Sequence, residues 1–153
     1  MRLRELDYKE GTFTYAERIA LGEVWKRDDL REYQKLREAW RELYGWDCRW
    51  MPIRMRVRRL MRLAEGVEWW FRLEEDTLKA EPTAEQLKAG IRELAAKVGD
   101  MGTVKALAKD YGTDPDVVLT WQWGKVYGIL LTDLEENRYT ERLQRIMMKR
   151  YDH

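Results

Sequence analysis

Residues 103–134, TVKALAKDYGTDPDVVLTWQWGKVYGILLTDL, carry the reading on which the fold depends. They predict a helix, a tight turn at Gly112-Thr-Asp-Pro115, and a second, strongly apolar helix from Asp114 to Leu134. Asp114 suits the N-cap, Pro115 the first helical position, and Asp116 the positive end of the helix dipole. Val118, Leu119, Trp123, Val126, Tyr127, Leu130 and Leu134 then recur at helical steps, while Trp121, Ile129 and Leu131 widen the apolar arc. An arc that broad predicts a helix central to a core, or one whose second face covers a partner. Thr132-Asp-Leu-Glu135 either caps a new helix or lies within a continuing one.

The same stretch has helix-turn-helix spacing. Ala108 is small enough for close helix contact, Gly112 follows four residues later, and the apolar Val118 six after that. The pattern is common in all-helical proteins, so alone it does not specify DNA binding. Its charges disfavour a polyanion. A recognition helix sets its first turn among phosphates, and here that turn carries Asp114 and Asp116. Through Lys125 three lysines face three aspartates, and no arginine occurs between Thr103 and Glu136.

Working outward, 44% hydrophobic and 37% charged residues suit charged helices with buried faces. With 29 basic and 28 acidic side chains, the chain lacks the excess of a general nucleic-acid binder. A lone Cys48 excludes an internal disulfide and fits a reducing compartment. No apolar run approaches membrane-spanning length and the N-terminus has no apolar h-region, so a cytoplasmic protein is expected. The only histidine is His153. That removes most acid–base and nucleophilic arrangements and any zinc site built from several His or Cys. Gly99-Asp-Met-Gly102 lacks the spacing and lysine of a phosphate loop. No catalytic residue, cofactor or metal is expected.

Toward the N-terminus, Thr14-Tyr-Ala-Glu17 is a capping box opening a short helix with Ile19, Leu21, Val24 and Trp25. Asp28 or Asp29 is expected to cap the next helix, whose stripe runs Leu30, Tyr33, Leu36, Trp40, Leu43, Tyr44 and stops at Gly45. Trp46 and Trp50 are expected to anchor the connector. From Ile53, residues Val57, Leu60, Met61 and Ala64 form a helical face. A strand with Ile53, Met55 and Val57 competes, but Arg54, Arg58 and Arg62 at four-residue steps favour a helix with one basic face.

Those arginines, with Arg49, Arg56 and Arg59, meet no acid before Glu65. They suit a grip on nucleic-acid phosphate or an acidic partner. They also suit a solvated face paired with Glu65, Glu68, Glu74, Glu75 or Asp76. Trp69 and Trp70 project about 100° apart on the same helix, one toward the core and one toward an edge or interface. Lys79-Ala-Glu-Pro82 is the best linker, dividing residues 1–79 from 83–153 within a single helical domain. Thr83-Ala-Glu-Gln86 opens a helix with Leu87, Ile91, Leu94, Ala95 and Val98 that closes at Gly99. Tyr139, Leu143, Ile146 and Met147 give a final amphipathic segment; Met147-Met148 suits an adaptable contact surface, with packing on the N-terminal helices the first expectation.

Two passages together, Thr14-Tyr-Ala-Glu-Arg-Ile-Ala-Leu-Gly22 and Gly102 to Leu119 with its Trp-rich continuation, resemble phage and prophage tail assembly chaperones and similar small tail proteins. The resemblance implies a helical protein of the bacterial host cytoplasm that is no catalyst. It would hold the tape-measure protein, or recruit tail-tube subunits to it. The helix-turn-helix-like spacing departs from that family and keeps a DNA-binding regulator as the alternative. The expected fold is all-α, an irregular bundle of about six or seven helices with a helix-turn-helix-like unit in the C-terminal half. The candidate partner-binding residues are Arg54, Arg58, Arg62, Trp69, Trp70 and Trp121, with a homo-oligomer as a further use of the same features.

Overall fold

Local chemistry starts and stops the first helices. In α1 (Tyr15–Lys26) the capping box forms: the Glu17 amide donates to Thr14 Oγ1 at 3.2 Å, and the Thr14 amide to Glu17 Oε2 at 2.7 Å. In α2 (Glu32–Tyr44), which ends at Gly45, the expected aspartate cap is absent. Gln34 Oε1 instead accepts the Arg31 amide at 2.9 Å, and Asp29 is bound to Arg27. The fold described is that of a computed structural model, which covers residues 6–79, 82 and 84–151. The linker core Ala80-Glu81 and the Thr83 cap lie outside those residues, as does His153.

After a short 3-10 turn (Cys48–Trp50) comes α3, a single helix from Ile53 to Thr77. Then follow α4 (Ala84–Lys88), α5 (Ile91–Val98), α6 (Asp100–Asp110), α7 (Pro115–Leu119) and α8 (Trp123–Tyr151). The fold is all-α, with eight α-helices and no strand among the described residues. No described helix is long and apolar enough to cross a membrane. The core draws on both sides of the linker: Phe13, Tyr15, Trp40, Leu63, Val67 and Trp70 join Val104, Leu107, Val118, Trp123 and Val126.

The helix-turn-helix unit forms as its spacing predicts. The Gly112 φ of +60° lets the chain reverse, and the Thr113 amide returns to the Ala108 carbonyl at 2.9 Å. Asp114 caps α7 by accepting the Asp116 amide at 3.1 Å, and Val118 is wholly buried.

The expected continuous helix from Asp114 to Leu134 does not form. It breaks at Thr120–Gln122, and the cause is tertiary. The segment Gly11–Tyr15 lies against the break in backbone pairing. The Trp123 amide donates to the Phe13 carbonyl at 2.7 Å, Gly124 to Gly11 at 3.0 Å, and Tyr15 to Trp121 at 2.8 Å. The first two bonds satisfy amides at the start of α8 that a helix leaves open, and the third does the same for the first amide of α1. Beyond the break, α8 runs unbroken through Thr132, whose hydroxyl donates to the Gly128 carbonyl at 2.9 Å.

Three further expectations are corrected. Residues 84–98 form two short helices broken around Gly90, and neither buries a residue. The stripe of Tyr139, Leu143, Ile146 and Met147 is exposed at all four residues rather than buried against the described N-terminal helices. Trp46 anchors against Trp40, ring centroids 5.5 Å apart, whereas Trp50 is 86% exposed. In the first two cases periodicity identified amphipathic helical sequence, but it carries no information on whether a partner surface is within reach.

Candidate functional site

α3 turns a different face inward from the one its first residues advertise. Leu60, Leu63, Gly66, Val67 and Trp70 are buried. Ile53, Val57 and Met61, expected on the packed face with Leu60, are instead exposed at 68%, 50% and 57%. They form a strip along the outside of the helix. Beside it run Arg54, Arg58 and Arg62, exposed as expected. The outer surface of α3 is therefore two parallel strips, one apolar and one basic.

Among the described residues none of these three arginines is ion-paired, nor is the half-buried Arg59. The acids expected to neutralise them are used elsewhere or left apart: Glu74 binds Arg18, and Glu68 pairs with Arg72 at 3.6 Å. Arg54, Met55, Arg58, Arg59 and Arg62 line a shallow hollow of about 420 Å³. Four guanidiniums around one hollow raise the local positive potential and favour carboxylates or phosphates there.

The other arginines of the run are spent. Asp47 accepts from Arg37 at 2.8 Å, Arg41 at 2.6 Å and Arg49 at 2.9 Å, and its other oxygen accepts the Arg49 amide at 2.9 Å. The Arg37 hydrogen bond leads a set that holds the Asp47 carboxyl far below its ordinary value. Arg56 donates to the Arg49 and Met51 carbonyls, both at 3.0 Å. Arg49 and Arg56 thus fasten the connector.

The tryptophans separate. Trp69 is 42% exposed, and at 100° per residue it falls within an arc of about 40° shared with Arg58 and Arg62. Trp70 is core: its indole N–H donates to the Tyr8 carbonyl, and its ring meets Phe13, Trp123 and Tyr127 edge-on. Trp121 sits in the turn before α8, edge-on to Tyr111 at 5.3 Å, with Lys125 Nζ 4.7 Å from its centroid. Four of the six sequence candidates therefore share one surface; Trp70 and Trp121 do not belong to it.

A second concavity, a cleft of about 850 Å³, lies between α1, α3, the start of α6 and α8. Trp25, Phe71, Leu130 and Leu134 supply its apolar lining. Its charged centre is Arg18, which donates to Glu74, lies 3.7 Å from Asp100, and has its guanidinium carbon 5.6 Å from the Phe71 centroid and 5.2 Å from that of Trp123. Burial is the largest single influence and opposes the Arg18 charge, but the Glu74 hydrogen bond together with the charges of Glu74 and Asp100 outweighs it and holds the guanidinium above its usual value. Burial, followed by the charge of Asp100, pushes the neighbouring Tyr15 hydroxyl up to about 12. The sequence signal for this cleft was the wide apolar arc of α8, which marks excess apolar surface without showing where it lies. Arg18 is satisfied by its neighbours here, so the cleft reads first as a structural bolt.

No group of three or more His, Cys, Asp or Glu among the described residues is placed to hold a metal ion. No protein-family description, curated protein or solved structure matches this chain.

Proposed function

We propose that this chain is a non-enzymatic, protein-binding helical module that holds an acidic amphipathic helix of a partner along the outer face of α3. The observation that carries the reading is the pair of strips on that face: Ile53, Val57 and Met61 exposed beside Arg54, Arg58 and Arg62, which have no acidic partner among the described residues. A partner helix with an apolar stripe and carboxylates four residues apart is complementary to both strips. Its apolar stripe would cover Ile53, Val57 and Met61, while the guanidinium fork suits carboxylates. Trp69 extends the same arc as a large, stiff anchor at its edge.

The finer reading is a phage tail assembly chaperone in the bacterial host cytoplasm, holding a tape-measure or tail-tube protein. A long helical protein offers many segments of the required kind. A helix-turn-helix regulator draws weaker physical support, because α7 has five residues and opens with Asp114 and Asp116, and the unpaired arginines lie on α3. The test is co-purification of the tagged chain with tail proteins expressed from its own gene neighbourhood, nuclease present. The partner should be a long helical tail protein. Reversing charge together at Arg54, Arg58 and Arg62 to Glu should weaken its binding by about tenfold or more. Unchanged affinity in that variant, or no tail protein recovered despite verified expression, refutes the reading. Salt-dependent binding of duplex DNA in a parallel assay would favour the regulator.

A further inference from the structure

The inner end of α8 is held by the core through Trp123 and Val126, with Leu130 and Leu134 half-buried. From Glu135 to Lys149 every residue is exposed. That is fifteen residues, a rod of about 22 Å. A helix of this length without tertiary contacts is marginal in water. Within it, among the described residues, Glu135–Arg138 at 2.7 Å and Glu141–Arg145 at 3.9 Å are paired, both along the surface of the helix.

The rod is not uniformly polar. Tyr139, Leu143 and Ile146 are 61%, 42% and 57% exposed and follow one another at steps of four and three. At 100° per residue they occupy an arc of about 60°, the width of a two-helix seam. Met147, 49% exposed, borders it. On one flank of the seam Glu135 stands at the start and Arg142 and Lys149 toward the end. Arg138, which pairs with Glu135, and Arg145 lie farther round the helix. Glu135, Arg142 and Lys149 recur every seven residues, so they share one flank.

We infer that this stripe pairs antiparallel with the same stripe of a second copy of the chain. The orientation follows from the charges. In an antiparallel pair, like flanks face each other with their ends exchanged. The register that sets Tyr139 against the second copy's Ile146 also brings Glu135 beside its Lys149, and the two-fold axis makes that contact twice. In a parallel pair, residues of the same number share a level and that exchange is lost. The two Arg142 side chains meet near the axis at the solvated edge, which opposes association. With only three or four apolar residues per copy, the seam is smaller than a standard interface of about 800 Å² per partner. The dimer is therefore reversible and concentration-dependent.

Sedimentation velocity over a concentration series tests the association. The wild-type chain should shift from monomer toward dimer, and Leu143→Asp combined with Ile146→Asp should raise the dissociation constant about tenfold or more. Both side chains are exposed in the single chain and lie far from the core, so the near-ultraviolet circular dichroism of the buried aromatic side chains should match the wild type. Orientation is read by mixing Tyr139→Cys chains with Ile146→Cys chains under mild oxidation; the native Cys48 is fully buried. The mixed 139–146 disulfide should dominate. A chain monomeric at every concentration overturns the inference, as does a dimer that survives the double aspartate variant. So does a predominance of 139–139 and 146–146 cross-links.

Discussion

Gly124 and Gly11 allow two backbones to touch. A Cβ at Gly124 would stand 2.2 Å from the Glu10 carbonyl oxygen, and one at Gly11 would stand 2.6 Å from the Gly124 nitrogen. Backbone atoms cannot yield as a flexible side chain can. Gly124→Ala is therefore expected to destabilise the protein by about 1–3 kcal/mol, read by chemical denaturation. Asp47 gives a pH-dependent counterpart. Its folded carboxyl titrates below the unfolded value, so its contribution is complete above roughly pH 4 and is lost as pH falls through the folded value. Asp47→Asn should lower stability most near neutral pH, and the two unfolding curves should converge as the solution is acidified. Neither residue stands out in the sequence. Gly124 lies in an apolar helical run, and Asp47 is one of many carboxylates.

At the scale of the element, α3 separates helical tendency from helical placement. Its basic strip at Arg54, Arg58 and Arg62 was legible because like charges at four-residue spacing demand a solvated face. The apolar face was misplaced because Ile53, Val57 and Met61 form as good a stripe as Leu60, Leu63 and Val67. The inner stripe is the one in contact with the core. Leu63→Ala should cost about 2–5 kcal/mol, because Leu63 is fully buried. Met61→Ala should change stability by under about 0.5 kcal/mol. Thermal or urea unfolding of the two variants compares them directly. Equal costs would mean that α3 is rotated from the orientation described.

Across the whole molecule, stability is concentrated where aromatic side chains from both halves meet. Trp123 lies 5.1 Å from Tyr15 and 6.2 Å from Trp70, and Tyr127 lies 5.1 Å from Trp70. Residues 84–98 take no part in this core, since neither α4 nor α5 buries a side chain. Their amides should exchange with solvent at least about 100-fold faster than those around Val67 and Val126, in native-state hydrogen exchange at low protein concentration. Protection of α5 equal to that of the core would show its apolar side to be covered.

The sequence by itself determined that the chain is helical and where several helices begin or turn. The Thr14–Glu17 box, the Asp114-Pro115 start and the Gly112 turn are local chemistry, decided by atoms a few residues apart. It also determined that Arg54, Arg58 and Arg62 share a solvent face and that Trp69 and Trp70 divide between edge and core. Only the tertiary structure decided that the apolar run after Asp114 breaks before Trp123, because the bonds responsible come from residues Gly11 to Tyr15, more than a hundred positions away. It alone decided that Ile53, Val57 and Met61 face outward and that α8 is exposed from Glu135 to Lys149. Amphipathic periodicity records that a helix has an apolar side; whether that side is covered depends on which surfaces the rest of the chain brings within reach.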